Sequence, residues 1–168
     1  DNVRKEPSFE VYTAAPLQTL VRFGRWVDIL HEPIPDKTLV FTQAIWRFAR
    51  GMSHAATGRL GAAAAELKTL QQQLKATRKD QITGVNATRT LLHLSERLLA
   101  GELASKRGDT GKAVAAFKEA VGLEDRLHDT EPPDWPLPAR HLLGAMLLTD
   151  NKPAEAEIVY QDDLTRPP

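Results

Sequence analysis

The chain has no cysteine. That excludes disulfides, thiolate nucleophiles and cysteine-ligated zinc together, and it leaves the compartment open between cytoplasm and periplasm. There is no excess of either charge: 22 Lys and Arg face 22 Asp and Glu, with no basic run along the chain. A nucleic-acid binder needs a positive footprint to neutralise phosphates, so no nucleic-acid partner is expected. Long apolar runs are missing too. Leu91-Leu92, Leu98-Leu99 and Leu142-Leu143 are all interrupted by polar residues well short of the length that spans a bilayer, and the chain is expected to be soluble.

Catalytic spacing is equally scarce. His31, His54, His93, His128 and His141 form no HxxH, HxxxH or HExxH pattern. Ser8, Ser53, Ser95 and Ser105 lack a GxSxG context. Gly58-Arg59-Leu60-Gly61 and Gly108-Asp109-Thr110-Gly111 follow no strand and lack the Lys-Ser/Thr pair of a phosphate loop, so they read as helix-to-helix turns. Glu124-Asp125, and Glu131 with Asp134, read as a solvated helix end and a solvated loop. No enzyme, cofactor or metal site is expected.

What remains is a helical chain of ordinary globular composition, 42% hydrophobic over 168 residues. Leu91, Leu94, Leu98 and Leu99 recur at helical spacing, as do Ala113, Phe117, Ala120 and Val121, while alternation of period two never lasts. Punctuation divides the chain into about eight helices in four units, near 10–34, 36–80, 86–127 and 137–165. Pro16 reads as a first-turn proline, Asp36 as the cap of a long helix through Trp46, Gln81 to Val85 as a loop and Thr110 as a further cap. His128 to Pro138, with four prolines, is the most irregular stretch, and Pro153 opens the last helix. Every regular segment is expected to be helical.

The chain also repeats itself. Aligned on Gly51, Gly101 and Gly144, the residues three, seven, twelve and sixteen places later are His54, Gly58, Ala63 and Leu67, then Ala104, Gly108, Ala113 and Phe117, then Leu147, Asn151, Ala156 and Tyr160. A first unit fits more loosely, with Leu17, Gly24 and Ile29 in corresponding places. Two antiparallel helices packed closely need this pattern: small residues where the backbones approach, Gly or Asn at the turn, and a larger side chain in the groove. One pair cannot bury its own apolar face, so pairs must stack. His54 is expected to be a hydrogen-bonded core residue, Trp26 and Trp46 to pack in the core, and Trp135 to plug a junction between units.

These residues resemble the tetratricopeptide repeat, most closely in the copy that starts at Gly101, with Pro168 standing where the family closes its third copy. The gaps between the three glycines exceed the family's usual repeat of about 34 residues, so the intervening helices or loops are extended. Arg22-Phe23-Gly24-Arg25-Trp26, and Glu131-Pro132-Pro133-Asp134-Trp135 leading to Arg140 and Gly144, resemble the later half of larger bacterial repeat proteins of unassigned function. The resemblance implies an all-α, antiparallel helix-pair solenoid in one domain. It also implies missing repeats upstream of Asp1, a few residues missing downstream, and uncapped ends able to self-associate.

By the same resemblance, the function is that of a non-catalytic scaffold binding a protein or peptide on its concave face. That face is lined by first helices, which nominates Gln18, Arg22, Phe48, Met52, Glu102, Ser105, His141 and Thr149. The Lys and Asn of the family's carboxylate clamp are replaced by Ala14 and Gln18, so recognition of a chaperone's C-terminal carboxylate is not expected. The rival expectation is a small-ligand or metal-binding protein whose site is completed by the upstream repeats.

Overall fold

The computed structural model describes residues 9–165, and within them the chain is mostly helical. In order, the elements are α1 (Glu10–Arg22), α2 (Trp26–His31), α3 (Val40–Ala56), α4 (Leu60–Ala76), β1 (Ile82–Thr83), β2 (Asn86–Ala87), α5 (Thr88–Lys106), α6 (Thr110–Glu124), α7 (Ala139–Thr149) and α8 (Pro153–Thr165). Consecutive helices pack in pairs: α1 with α2, α3 with α4, α5 with α6, α7 with α8. Contacts inside a pair run in opposite senses. Arg97 reaches Glu119 while Gly101 lies under Phe117, and Arg140 reaches Asp162 while Gly144 lies under Tyr160, so the pairs are antiparallel.

All four pairs turn the same way, and the sequence explains why. The central residue of each turn has a positive φ: Gly24 at 65°, Gly58 at 76°, Gly108 at 78° and Asn151 at 55°. Gly and Asn enter this left-handed region at least cost. The next backbone N–H then donates to the carbonyl five residues earlier: Arg25 to Leu20 at 2.9 Å, Arg59 to His54 at 2.8 Å, Asp109 to Ala104 at 3.0 Å and Lys152 to Leu147 at 2.9 Å. That is the Schellman arrangement, which satisfies carbonyls a helix end would otherwise leave bare. Four residues into each second helix, Ile29, Ala63, Ala113 and Ala156 are fully buried, as the glycine register requires.

The helix α3 is the hub, packed against α1, α2, α4 and α5. Phe41, Ala44, Ile45, Phe48, Ala49 and Met52 give it a continuous buried stripe, which meets Ala14, Leu17 and Val21 of α1 and Leu91, Leu94 and Leu98 of α5 in one core cluster. The register is exact at two glycines and displaced at the third. A Cβ on Gly101 would meet the Phe117 ring at 2.5 Å, and one on Gly144 would meet the Tyr160 ring, both sixteen residues on. At Gly51 the covering side chain is Leu99 of α5, not Leu67 of α4, because α3 is pressed from both sides.

Several local expectations are corrected. Pro16 lies inside α1, which begins six residues earlier at Glu10. Asp36 does not cap α3: its carboxylate accepts from the Thr38 backbone at 2.9 Å and hydroxyl at 2.7 Å. The acceptor at the start of α3 is Glu10, which takes the N–H groups of Phe41 at 2.8 Å and Thr42 at 3.1 Å. The cap of α6 is Asp109, one residue before Thr110, accepting from the Lys112 N–H at 3.1 Å. Not every regular segment is helical, since β1 and β2 form an antiparallel hairpin pairing Ile82 with Ala87 and Thr83 with Asn86. Ser8 and Pro168 lie outside the described residues.

Candidate functional site

Among the described residues polar chemistry gathers at several places, and three of them lie where helices or connecting segments meet. The first is where the segment joining α6 to α7 doubles back across α1 and α3. Trp135 is buried and its ring packs on Phe48 at 5.6 Å between centroids, with the planes tilted by 54°. Its indole N–H donates to the Leu137 carbonyl at 2.8 Å, so the buried polar edge is satisfied. Beside it, the Arg22 guanidinium donates to the Pro136 carbonyl at 3.0 Å. Proline offers no N–H, so the carbonyl of the half-buried Pro136 is the polar handle this segment presents there. Trp135 is thus a plug, though it bridges to α3 rather than closing the adjoining pair.

The same segment is clasped to the hairpin. Asp134 is 6% exposed, and its carboxylate accepts from the Val85 N–H at 3.0 Å and the Asn86 side-chain amide at 2.8 Å. It sits directly over Gly84, where a Cβ would collide with it. Asn86 completes the clasp by accepting from the His128 N–H at 2.8 Å. The reading of Asp134 as a solvated loop residue is therefore corrected: hairpin donors 48 residues away in the chain bury it.

The second place is the junction of α6, α7 and α8. Arg140, with a side chain 5% exposed, grips Asp125 through two bonds of 2.7 and 3.0 Å and Asp162 at 2.8 Å. Hydrogen bonding to Asp125 comes first among the influences that hold its guanidinium firmly charged. Glu124 is not solvated either. It accepts from the Ala139 N–H at 3.1 Å with both oxygens, capping α7, and burial pushes its carboxyl up to about 7 against the pull of that bond and of Arg140. Nearby, His141 is exposed, with a ring nitrogen 3.0 Å from Asp163.

The third is a groove of about 510 Å³ between α4 and α6, floored by α5. Leu67, Ala100, Leu103, Ala104 and Ala116 make it apolar at the base, and Arg97, Lys112 and Glu119 rim it. Those charges are already matched, Arg97 with Glu96 and Glu119 and Lys112 with Asp109. Elsewhere, His54 is buried as expected but its Nδ1 has no hydrogen-bond partner, and burial, then Arg59 and Arg50, hold the imidazole below its usual pKa. Trp46 is a core residue, its N–H on the Glu32 carbonyl at 3.0 Å and its ring flanked by the guanidinium groups of Arg47 and Arg50, each 4.7 Å away. Trp26 is half-buried.

Of the eight nominated residues, Arg22 and Phe48 meet at the Trp135 segment. Gln18 lies one turn before Arg22 on the same helix face. Gln18, Phe48 and Met52 are buried at 1%, 1% and 6% exposure, so none is open surface: Phe48 and Met52 belong to the core stripe of α3, and Gln18 is enclosed on α1. Glu102 and Ser105 are half-buried on α5, Glu102 with Lys106 at 3.4 Å. His141 and Thr149 are exposed on α7, the Thr149 hydroxyl bonded to its own helix at Ala145. No hydrogen bond or ion pair among the described residues joins these four to Gln18, Arg22 or Phe48. The residues that build the site and escaped the sequence reading are Asn86, Asp134 and Pro136, whose only local signal is an Asn and an Asp near Gly and Pro.

No family model, no curated protein and no solved structure matches this chain.

Proposed function

We propose that this chain is a non-catalytic, tetratricopeptide-like scaffold that binds a protein or peptide on the face formed by its first helices. The supporting observation is the fourfold recurrence of one turn with a buried small or branched residue at a fixed distance after it, around helices whose charged groups serve as caps and interhelical ties. A carboxylate that caps a backbone, or a guanidinium that ties three helices, is committed to structure and is poorly placed to exchange protons with a substrate. What the fold leaves for an outside partner is surface: the exposed Arg22 on α1, the half-buried Glu102 along α5 and the exposed His141 on α7.

Binding of a protein captured on the immobilised chain from a cell extract, measured against Arg22→Glu with Glu102→Lys, tests this reading. Arg22 is exposed, where substitutions change stability by only about 0.5 kcal/mol, while Glu102 is half-buried beside Lys106. The helical melt is therefore read for each single change and should hold for Arg22→Glu while affinity falls at least tenfold. A partner indifferent to both changes places the binding surface elsewhere. The groove over α5, apolar at its base, favours a second reading, a small apolar ligand. Saturable uptake of such a ligand, abolished by Ala104→Trp, would establish that reading instead.

A further inference from the structure

Resting on that reading, we propose that the Gln18, Arg22 and Phe48 face takes an extended partner segment carrying a proline-flanked tryptophan, and that the chain's own Trp135-Pro136 strap holds this site in cis until it is displaced. The strap shows the chemistry the face accepts. An aromatic ring fills the surface over Phe48, and a carbonyl next to it, belonging to a residue without an N–H, takes the Arg22 guanidinium. Proline on either side keeps such a segment extended before it binds, which lowers the ordering cost.

The strap is also an incomplete ligand. Gln18 is 1% exposed and its side-chain nitrogen has no acceptor, on the helix face that also carries Arg22. A buried amide donor without a partner is costly, so a segment that reaches along α1 from Arg22 and offers it a carbonyl gains a bond that the strap does not make. Glu131, Pro132 and Pro133, just ahead of the clasp at Asp134, are exposed and give an incoming chain a place to begin. Against this works the tether, because a segment linked to its own site competes at an effective concentration in the millimolar range.

The test uses a fluorescent, end-blocked peptide of the sequence 129–138 and the whole chain, with binding read by anisotropy. Trp135→Ala, which empties the ring's seat over Phe48, should bind the peptide at least tenfold more tightly than the parent. Adding Arg22→Glu should remove that gain, and a peptide with Ala in place of Trp should not bind. A Trp135→Ala chain that keeps its helical spectrum yet ignores the peptide overturns the proposal, as does binding unaffected by Arg22→Glu. Should Trp135→Ala fail to fold, Asp134→Ala unclasps the strap while leaving Trp135 in place; folded protein with improved peptide binding supports the proposal, and folded protein without it overturns it. Concentration-dependent dimers of the parent that Trp135→Ala abolishes would put one copy's strap in another, also overturning it. Partner binding that depends on Arg22 while the peptide fails removes this inference alone, whereas peptide binding with a partner indifferent to Arg22 removes the functional reading alone.

Discussion

The turn inside a helix pair and the junction between pairs solve the same problem with opposite means. Inside a pair, the chain reverses in a few residues, and the bare groups at the helix ends find partners next door, through Gly or Asn at positive φ and through Asp109 at the start of α6. Between pairs, α3 and α7 begin without a side-chain cap of their own, and each borrows a carboxylate from an earlier helix: Glu10 reaches 31 residues ahead to Phe41, and Glu124 reaches 15 ahead to Ala139. A local device fixes a shape. A borrowed one also fixes how one pair sits on the next, so the junctions decide what surface the stacked helices present.

Breaking a pair should cost most. Gly101→Leu drives a side chain into Phe117, which is 2% exposed and has nowhere to go, so a loss of about 3 kcal/mol is expected. Thermal unfolding should show it as a fall of roughly 10 °C. The same change at Gly144 should cost less, because Tyr160 is only half-buried and can swing out. Equal losses at the two sites would mean that packing inside a pair does not depend on how firmly the covering ring is held.

Next come the two kinds of cap. Glu10→Ala strips the acceptor from two N–H groups in a buried setting and should lose about 2 kcal/mol in denaturant unfolding, with Glu10→Gln recovering part of it through its carbonyl. Asp109→Ala, at a turn open to water, should lose about 1 kcal/mol. The reverse order would break the contrast between borrowed and local caps.

The effect at Glu124 is read through pH rather than through loss of a contact. Its folded pKa, about 7, stands above the ordinary 4.5. Between those values the native state keeps a proton that the unfolded chain has released, so stability falls as pH rises through this window and stays lower above it. Burial raises the carboxyl of Glu10 as well, adding a contribution of the same sign. Glu124→Gln retains an acceptor for Ala139 and removes its share of the slope. Stability followed from pH 5 to pH 8 should therefore fall less in the variant, and an unchanged slope would show that Glu124 does not carry it.

The same contrast marks what could be read from the sequence. Gly24, Gly58, Gly108 and Asn151 announce their turns because the chemistry of a positive φ is local, and Ala113 and Ala156 announce the close approach of two backbones. Eight paired helices followed from these signals. Glu10 over α3 and Asp134 on Asn86 did not, because nothing near either residue points to donors 31 or 48 positions away. Asp36 and Thr110 had the chemistry of caps, but the helices start elsewhere. The nominated face suffered in the same way: Phe48 and Gln18 were placed on the right helices, while the segment that covers Phe48 comes from the far side of α5 and α6 and carries no pattern that marks its destination.

Hydrogen exchange across the whole chain, with and without a captured protein partner, tests most directly whether the surface set by the junctions is the one that binds. Partner binding is expected to alter exchange in α1 and in the 128–138 segment and to leave the turns at 57–59, 107–109 and 150–152 unchanged. New protection confined to those turns, or to the groove floored by Ala100 and Ala104, would contradict it.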